Sequence, residues 1–146
     1  MNFSFHAAKL SAMNFDHVKK LFTPLTMPEE RYKKIIELGF ALSPYPLDKK
    51  TPEHLVPGCQ STLYLFTSFH EDKLNFLADS DALISRGLAA LLILAYRDFS
   101  IKDIVTHPPL FLKELNLLSS LSPTRSNGLL SLYTLMRSQA LSFIKN

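Results

Sequence analysis

Residues 62–78 read Thr62-Leu63-Tyr64-Leu65-Phe66-Thr67-Ser68-Phe69-His70-Glu71-Asp72-Lys73-Leu74-Asn75-Phe76-Leu77-Ala78. Thr62 to Phe69 is dense in aromatic and β-favouring residues, and Lys73 to Ala78 alternates Leu74, Phe76 and Ala78 with Lys73 and Asn75. Successive side chains of a strand point to opposite faces, so this period of two predicts a sheet with one buried face. The polar His70-Glu71-Asp72 between the two runs makes a β-hairpin the economical reading. Directly after it, Ala82 to Tyr96 is almost uniformly apolar with Arg86 as the exception, the pattern of a helix buried between layers. Asp79 or Ser80 is the expected cap of that helix. Gly87, in its middle, costs about 1 kcal/mol against alanine, and reads equally as room for a close crossing by another element or as an ordinary helical glycine.

Upstream, Phe15, Val18 and Phe22 recur at helical spacing, and Pro24 ends that segment because it lacks an amide donor. Thr26 and Glu29 have the spacing of a capping box, with Pro28 in the first turn. Tyr32, Ile35, Ile36 and Phe40 then form an apolar stripe, while Glu29 with Lys33 and Glu30 with Lys34 stand at the favourable charge spacing. Pro44, Pro46, Pro52 and Pro57 make residues 42–57 an extended connector with room for one short strand. Downstream, Ser100 and Asp103 predict a short helix to Thr106, and His107-Pro108-Pro109 breaks it. Leu110 to Leu117 supplies a further turn or two. The last helix is expected over 124–144, capped by Ser122, with Leu129, Leu132, Tyr133, Met136, Ala140 and Phe143 on one face.

A chain of 146 residues is long enough to bury a core without staples, so residues 1–146 are read as a single domain, with 1–25 as a helical N-terminal extension. The net charge of +3 comes from scattered lysine pairs (Lys19-Lys20, Lys33-Lys34, Lys49-Lys50) without a dense basic run, which argues against nucleic acid. The most apolar run, Leu88 to Tyr96, is far short of the ~20 residues that span a bilayer. Residues 1–12 carry no apolar signal core, and a single cysteine forms no internal disulfide. The expectation is a cytoplasmic protein with no membrane partner.

That single cysteine, Cys59, follows Pro57-Gly58 in a loop and not within a helix or strand, where a packing cysteine usually sits. The thiolate is the nucleophile toward sulfur electrophiles, so a sulfur acceptor needs one accessible cysteine on a bounded loop with apolar shelter. Leu55, Val56 and Leu63 are placed to give it. His54, His70 and His107 cannot be set beside it from sequence alone, so a thiol hydrolase stays open as a rival reading. The five histidines show no paired metal-ligand spacing, so no metal is expected. Asp79-Ser80-Asp81 is a helix start whose acidity suits a partner, and Arg86 is expected to reach an edge or a partner. Arg125-Ser126-Asn127-Gly128 combines fixed donors with a glycine that permits close backbone approach.

Four of these pieces, in this order, resemble the SufE family of sulfur acceptors. They are Glu30-Arg31-Tyr32 with Ile36-Glu37-Leu38-Gly39; Gly58-Cys59-Gln60-Ser61; Ser80-Asp81-Ala82 with Gly87-Leu88; and Ser122-Pro123-Thr124-Arg125-Ser126-Asn127-Gly128-Leu129. The resemblance runs from about Glu29 to Ser138 and departs at Tyr64, where the family commonly carries tryptophan. It implies an α+β fold, a small antiparallel sheet packed against several helices in a SufE/NifU-like sandwich. It also implies that Cys59 takes persulfide sulfur from a SufS-like cysteine desulfurase, stimulates that enzyme, and passes the sulfur to a SufB-type Fe–S scaffold complex. On that reading the chain is a covalent carrier, not an enzyme. It needs no cofactor, because pyridoxal phosphate belongs to the desulfurase. Gly58, Gln60 and Ser61 shape the loop, Arg125 and Asn127 support or dock, and Asp79, Asp81 and Arg86 are docking candidates. The alternatives are a paralogue serving another desulfurase pathway and a regulator that binds the desulfurase without carrying sulfur.

Overall fold

The computed structural model of the chain describes residues 14–144. It is α+β: an antiparallel hairpin and, among the described residues, six helices. The helices are α1 (14–22), α2 (Pro28–Phe40), α3 (Leu83–Ala95), α4 (Ile101–Thr106), α5 (Phe111–Glu114) and α6 (Pro123–Ile144). Residues 1–13 of the expected N-terminal extension lie outside the described residues. The remainder is built into the core, because Val18 and Phe22 of α1 are fully buried and Phe15 packs edge-on against Tyr96 and against Phe99 and Phe111.

The hairpin is the expected one with shifted ends. Strands β1 (Leu63–His70) and β2 (Lys73–Ser80) pair from Leu63↔Ser80 to His70↔Lys73, leaving Glu71 and Asp72 as a two-residue turn. Both turn residues have positive φ, 51° and 63°, the backbone that matches the twist of a tight hairpin. Leu63, Leu65, Leu74, Phe76 and Ala78 form its buried face against α3 and α6. The opposite face is covered by the connector: Tyr45 packs on Tyr64, and Lys49 and His54 on Phe66. The connector forms two short 3-10 turns, Leu47–Lys49 and Pro52–His54, and no strand; a single bridge, Leu55 to Tyr64, is all the pairing its prolines leave.

Helix α3 is the buried element its sequence predicts, with Leu88, Ala89, Leu91, Leu92 and Ala95 in the core. It crosses α2 where two glycines meet. A Cβ on Gly87 would run into the carbonyl of Ile35, and one on Gly39 would lie 3.0 Å from the Gly87 nitrogen. This crossing corrects the expected stripe of α2: Ile35 and Gly39 face α3, while Phe40, a further 100° round, is 64% exposed beneath the Arg86 guanidinium. The capping box is also absent. Proline favours the first helical position, so Pro28 fixes Met27 as the N-cap, one residue beyond Thr26, and no side chain caps the helix. Lys34 pairs with Glu37 at 3.3 Å and not with Glu30, and Glu29 and Lys33 form no ion pair.

The start of α3 is a further correction. β2 continues through Ser80, so the N-cap is Ala82 and neither Asp79 nor Ser80 caps a first-turn amide. The Ser80 hydroxyl instead donates to the Thr62 carbonyl at 2.6 Å and accepts from the Ala82 amide at 3.2 Å. The other two expected caps are present, Ser100 Oγ accepting from the Asp103 amide at 3.1 Å and Ser122 Oγ from the Arg125 amide at 3.3 Å. Among the described residues no helix is long and apolar enough to cross a membrane.

Candidate functional site

The Cys59 loop is pinched at its base. The Val56 amide donates to the Leu63 carbonyl at 2.8 Å and Leu55 bridges Tyr64, so residues 57–62 project from the start of β1 as one closed unit. Gly58 turns the chain at φ 78°, in the left-handed region that costs an L side chain about 1–2 kcal/mol. Cys59 follows, partly buried. Its thiol donates to the Gly128 carbonyl of α6 at 3.8 Å, and a Cβ at position 128 would come within 3.3 Å of Sγ, so Gly128 makes the space the sulfur occupies.

Cys59 lines a cavity of about 280 Å³. Ser61, Ser85, Thr124 and Arg125 give it polar walls, and the buried Leu63, Leu88, Leu129 and Leu132 give it an apolar floor. Burial pushes the Cys59 thiol above its ordinary pKa. A thiol in low-dielectric surroundings keeps its proton, because the thiolate loses hydration that nothing replaces. No described histidine hydrogen-bonds the thiol. His17 is exposed on α1, His54 is bonded to the Thr51 hydroxyl at 2.9 Å, His107 contacts Thr106 and Asp103, and His70 sits beside Glu71 on the exposed hairpin turn. The one hydrogen bond of Sγ among the described residues is to Gly128. No group of three metal-ligating side chains occurs among them either.

Of the residues singled out in the sequence, the structure brings Cys59, Gln60, Ser61 and Arg125 to this cavity, with Gly58 at the turn behind them. Asn127 is not among them. It is exposed on another face of α6, in a shallow groove with Pro57 and Leu130. Asp79, Asp81 and Arg86 share a separate polar hollow with Lys50 and Tyr64. There Asp79 is held by Lys50 at 2.8 Å and Arg86 at 3.6 Å. Burial opposes its ionisation, but the Lys50 hydrogen bond and charge outweigh that and hold the carboxyl below its usual range. Asp81 is exposed. Ser85 escaped the sequence reading because it sits in a helix otherwise read as uniformly apolar. Its position three before Leu88 puts both on the cavity side.

Fold and site together define a class of protein: a small α+β domain that presents one sheltered thiol on a closed loop. The chain belongs to the SufE family, whose model, described as an Fe–S metabolism associated domain, matches residues 16–140. The chain is 36% identical over 125 residues to the chloroplastic/mitochondrial SufE-like protein 1 of Arabidopsis thaliana, covering 85% of this chain but only 34% of that longer protein. It is 36% identical over 115 residues to the cysteine desulfuration protein SufE of Wigglesworthia glossinidia brevipalpis, covering 77% and 79% of the two chains. It is 31% identical over 130 residues to an uncharacterized SufE-like protein of Synechocystis, covering 89% and 82%. The solution structure of a hypothetical protein from Thermus thermophilus shares the fold, with a TM-score of 0.77 at 19% identity over 91% of this chain and 97% of that one.

Proposed function

We propose that this protein is a sulfur acceptor and carrier in Fe–S metabolism, loaded on Cys59 by a cysteine desulfurase that it stimulates and unloaded to an Fe–S scaffold complex. The observation that carries this reading is the recessed thiol at a cavity with no acid–base partner among the described residues. A hydrolase needs an imidazole beside its sulfur, whereas an acceptor needs only a thiolate, room and shelter.

The transfer balances without an outside oxidant. The Cys59 thiolate attacks the outer sulfur of the desulfurase persulfide, a new S–S bond forms at Cys59, and the old one breaks. The desulfurase cysteine leaves as a thiolate with the bonding pair and takes up the proton that Cys59 gave up. Unloading repeats the exchange on an acceptor thiol. Pyridoxal phosphate chemistry, which frees sulfur from cysteine, belongs to the desulfurase. In this chain, burial keeps Cys59 protonated at rest, and docking that opens the loop to water lifts that penalty on the thiolate. A cavity of about 280 Å³ is several times the roughly 30 Å³ share of one water, so the added sulfur fits without repacking.

Intact-protein mass spectrometry after incubation with a cysteine desulfurase and free cysteine tests this. Wild type should gain sulfur that maps to Cys59 and is removed by reductant, and Cys59→Ser should gain none while keeping its fold. Uptake by the serine variant, or none by wild type with an active desulfurase, overturns the reading.

A further inference from the structure

Beyond its pinched base, the loop that carries Cys59 is fastened by very little. The Thr62 carbonyl accepts from Ser80 at the foot. Toward the tip, two side-chain hydrogen bonds remain among the described residues, beside the packing of Cys59 on the core. One is the 3.8 Å contact of the thiol with Gly128, a weak donor at long range. The other joins the loop to α3: Ser61 Oγ and Ser85 Oγ lie 2.5 Å apart, across 24 residues of sequence, both partly buried in the cavity wall. Main-chain pairing holds residues 56 and 63 whatever the tip does, so the tip can lift only if this hydroxyl pair parts.

We propose that Ser85 is a positioning residue for Cys59: through its hydroxyl pair with Ser61 it holds the loop on α3 and keeps the thiol recessed against Gly128 until a docked partner displaces it. The pair is well suited to this work. Two hydroxyls exchange their bond for water at little cost once the cavity opens, so the hold is reversible. Ser85 lies one turn from the buried Leu88 on the most deeply packed helix of the molecule, so the anchored end stays fixed while the loop end moves. It touches neither sulfur nor substrate, and it acts by setting how often the thiol is exposed.

The inference deepens the sulfur-acceptor reading, but its test needs no desulfurase. The rate of Cys59 alkylation by iodoacetamide is measured on the folded full chain across pH. Ser85→Ala should alkylate about two- to tenfold faster, the range that the net worth of one such hydrogen bond allows. Its pH midpoint should move down toward that of an ordinary thiol, and Ser85→Thr, which keeps the hydroxyl, should restore the wild-type profile. Ser61→Ala breaks the same pair from the other side and should match Ser85→Ala, so it also serves if Ser85→Ala does not fold. The double variant should be no faster than either single, because the two share one interaction. Wild-type rates in folded Ser85→Ala or Ser61→Ala, or single effects that multiply in the double variant, overturn the proposal. A negative sulfur-uptake experiment with these alkylation results intact would remove the acceptor reading and leave the positioning role standing.

Discussion

The α2–α3 crossing and the Cys59 loop are held by different physics. At the crossing, Gly39 and Gly87 bring two backbones together with no side chain between them, and the contact is flanked by the buried Ile35 and Leu88. Nothing there yields without moving a helix. In the loop, a glycine in the left-handed region, one hydroxyl pair and a long thiol contact hold the tip. The hydroxyl pair and the thiol contact are each worth about 1 kcal/mol or less, and water can replace them. Rigidity thus sits in the frame and compliance in the part that has to meet another protein's sulfur.

The contrast is broken most strongly from the frame side. Gly87→Ala places a methyl group on the Ile35 carbonyl and pushes α2 off α3. Alanine's helix propensity returns about 1 kcal/mol, but overpacking of this kind costs about 1–3 kcal/mol and more where backbone is struck. With the backbone struck, a net loss of about 2 kcal/mol or more should appear as a lower urea midpoint at unchanged slope. The Cys59 alkylation rate of the molecules still folded should stay at the wild-type value. A variant as stable as wild type would mean that the crossing is looser than its geometry.

A smaller effect is expected from the loop side. Gly58→Ala must carry φ 78° on an alanine and press its methyl toward Ser131 Oγ, 3.2 Å away. The strain is about 1–2 kcal/mol, but the loop can relieve part of it by lifting. Its signature should therefore be the reverse of Gly87→Ala: less than about 2 kcal/mol from the unfolding midpoint, with a clear rise in thiol reactivity. Equal reactivity with a full stability loss would show the tip to be as stiff as the frame.

How far each region was legible follows from the same division. The frame is written in periodicity. The alternation in 73–78 and the apolar run from Ala82 gave the hairpin and α3, whereas Gly87 left a close crossing and an ordinary helical glycine equally open until its contact with Ile35 was seen. What periodicity misplaced was decided by contacts between segments. Phe40 fits an apolar stripe, yet the crossing turns it outward. Ser80 fits a cap, yet β1 claims it as a strand partner through Leu63. The connector's one strand reduced to a bridge because its prolines remove the amides that a strand along β1 would pair. At the site, Cys59 stood out because it is a lone thiol after Pro-Gly, and Arg125 through its motif. Ser85 did not, because a hydroxyl on an apolar helix has no meaning until the loop is seen to land on it. Asn127 shared Arg125's motif but not its helix face, since two residues along a helix turn a side chain by about 200°.

The finest test of the contrast is its pH dependence. Burial raises the Cys59 pKa in the folded protein, so as pH rises the unfolded chain loses the thiol proton first. Stability depends on the difference in bound protons between the two states, and here the folded state binds more. The thiol's contribution is therefore fully present below the unfolded value of about 8.5 and is lost as pH rises through the folded value above it. Cys59→Ala removes the titrating group, so the difference in unfolding free energy between wild type and variant should be flat at pH 6–8 and shrink steadily above about 8.5. Working from the difference also cancels the tyrosines. These include Tyr45, which burial and the neighbouring Tyr64, Asp79 and Asp48 push up to about 12. The same measurement in a Ser85→Ala background sharpens the comparison further. If the loop spends more time lifted, the thiol titrates nearer its ordinary value and the slope flattens, while the frame beneath it is unchanged.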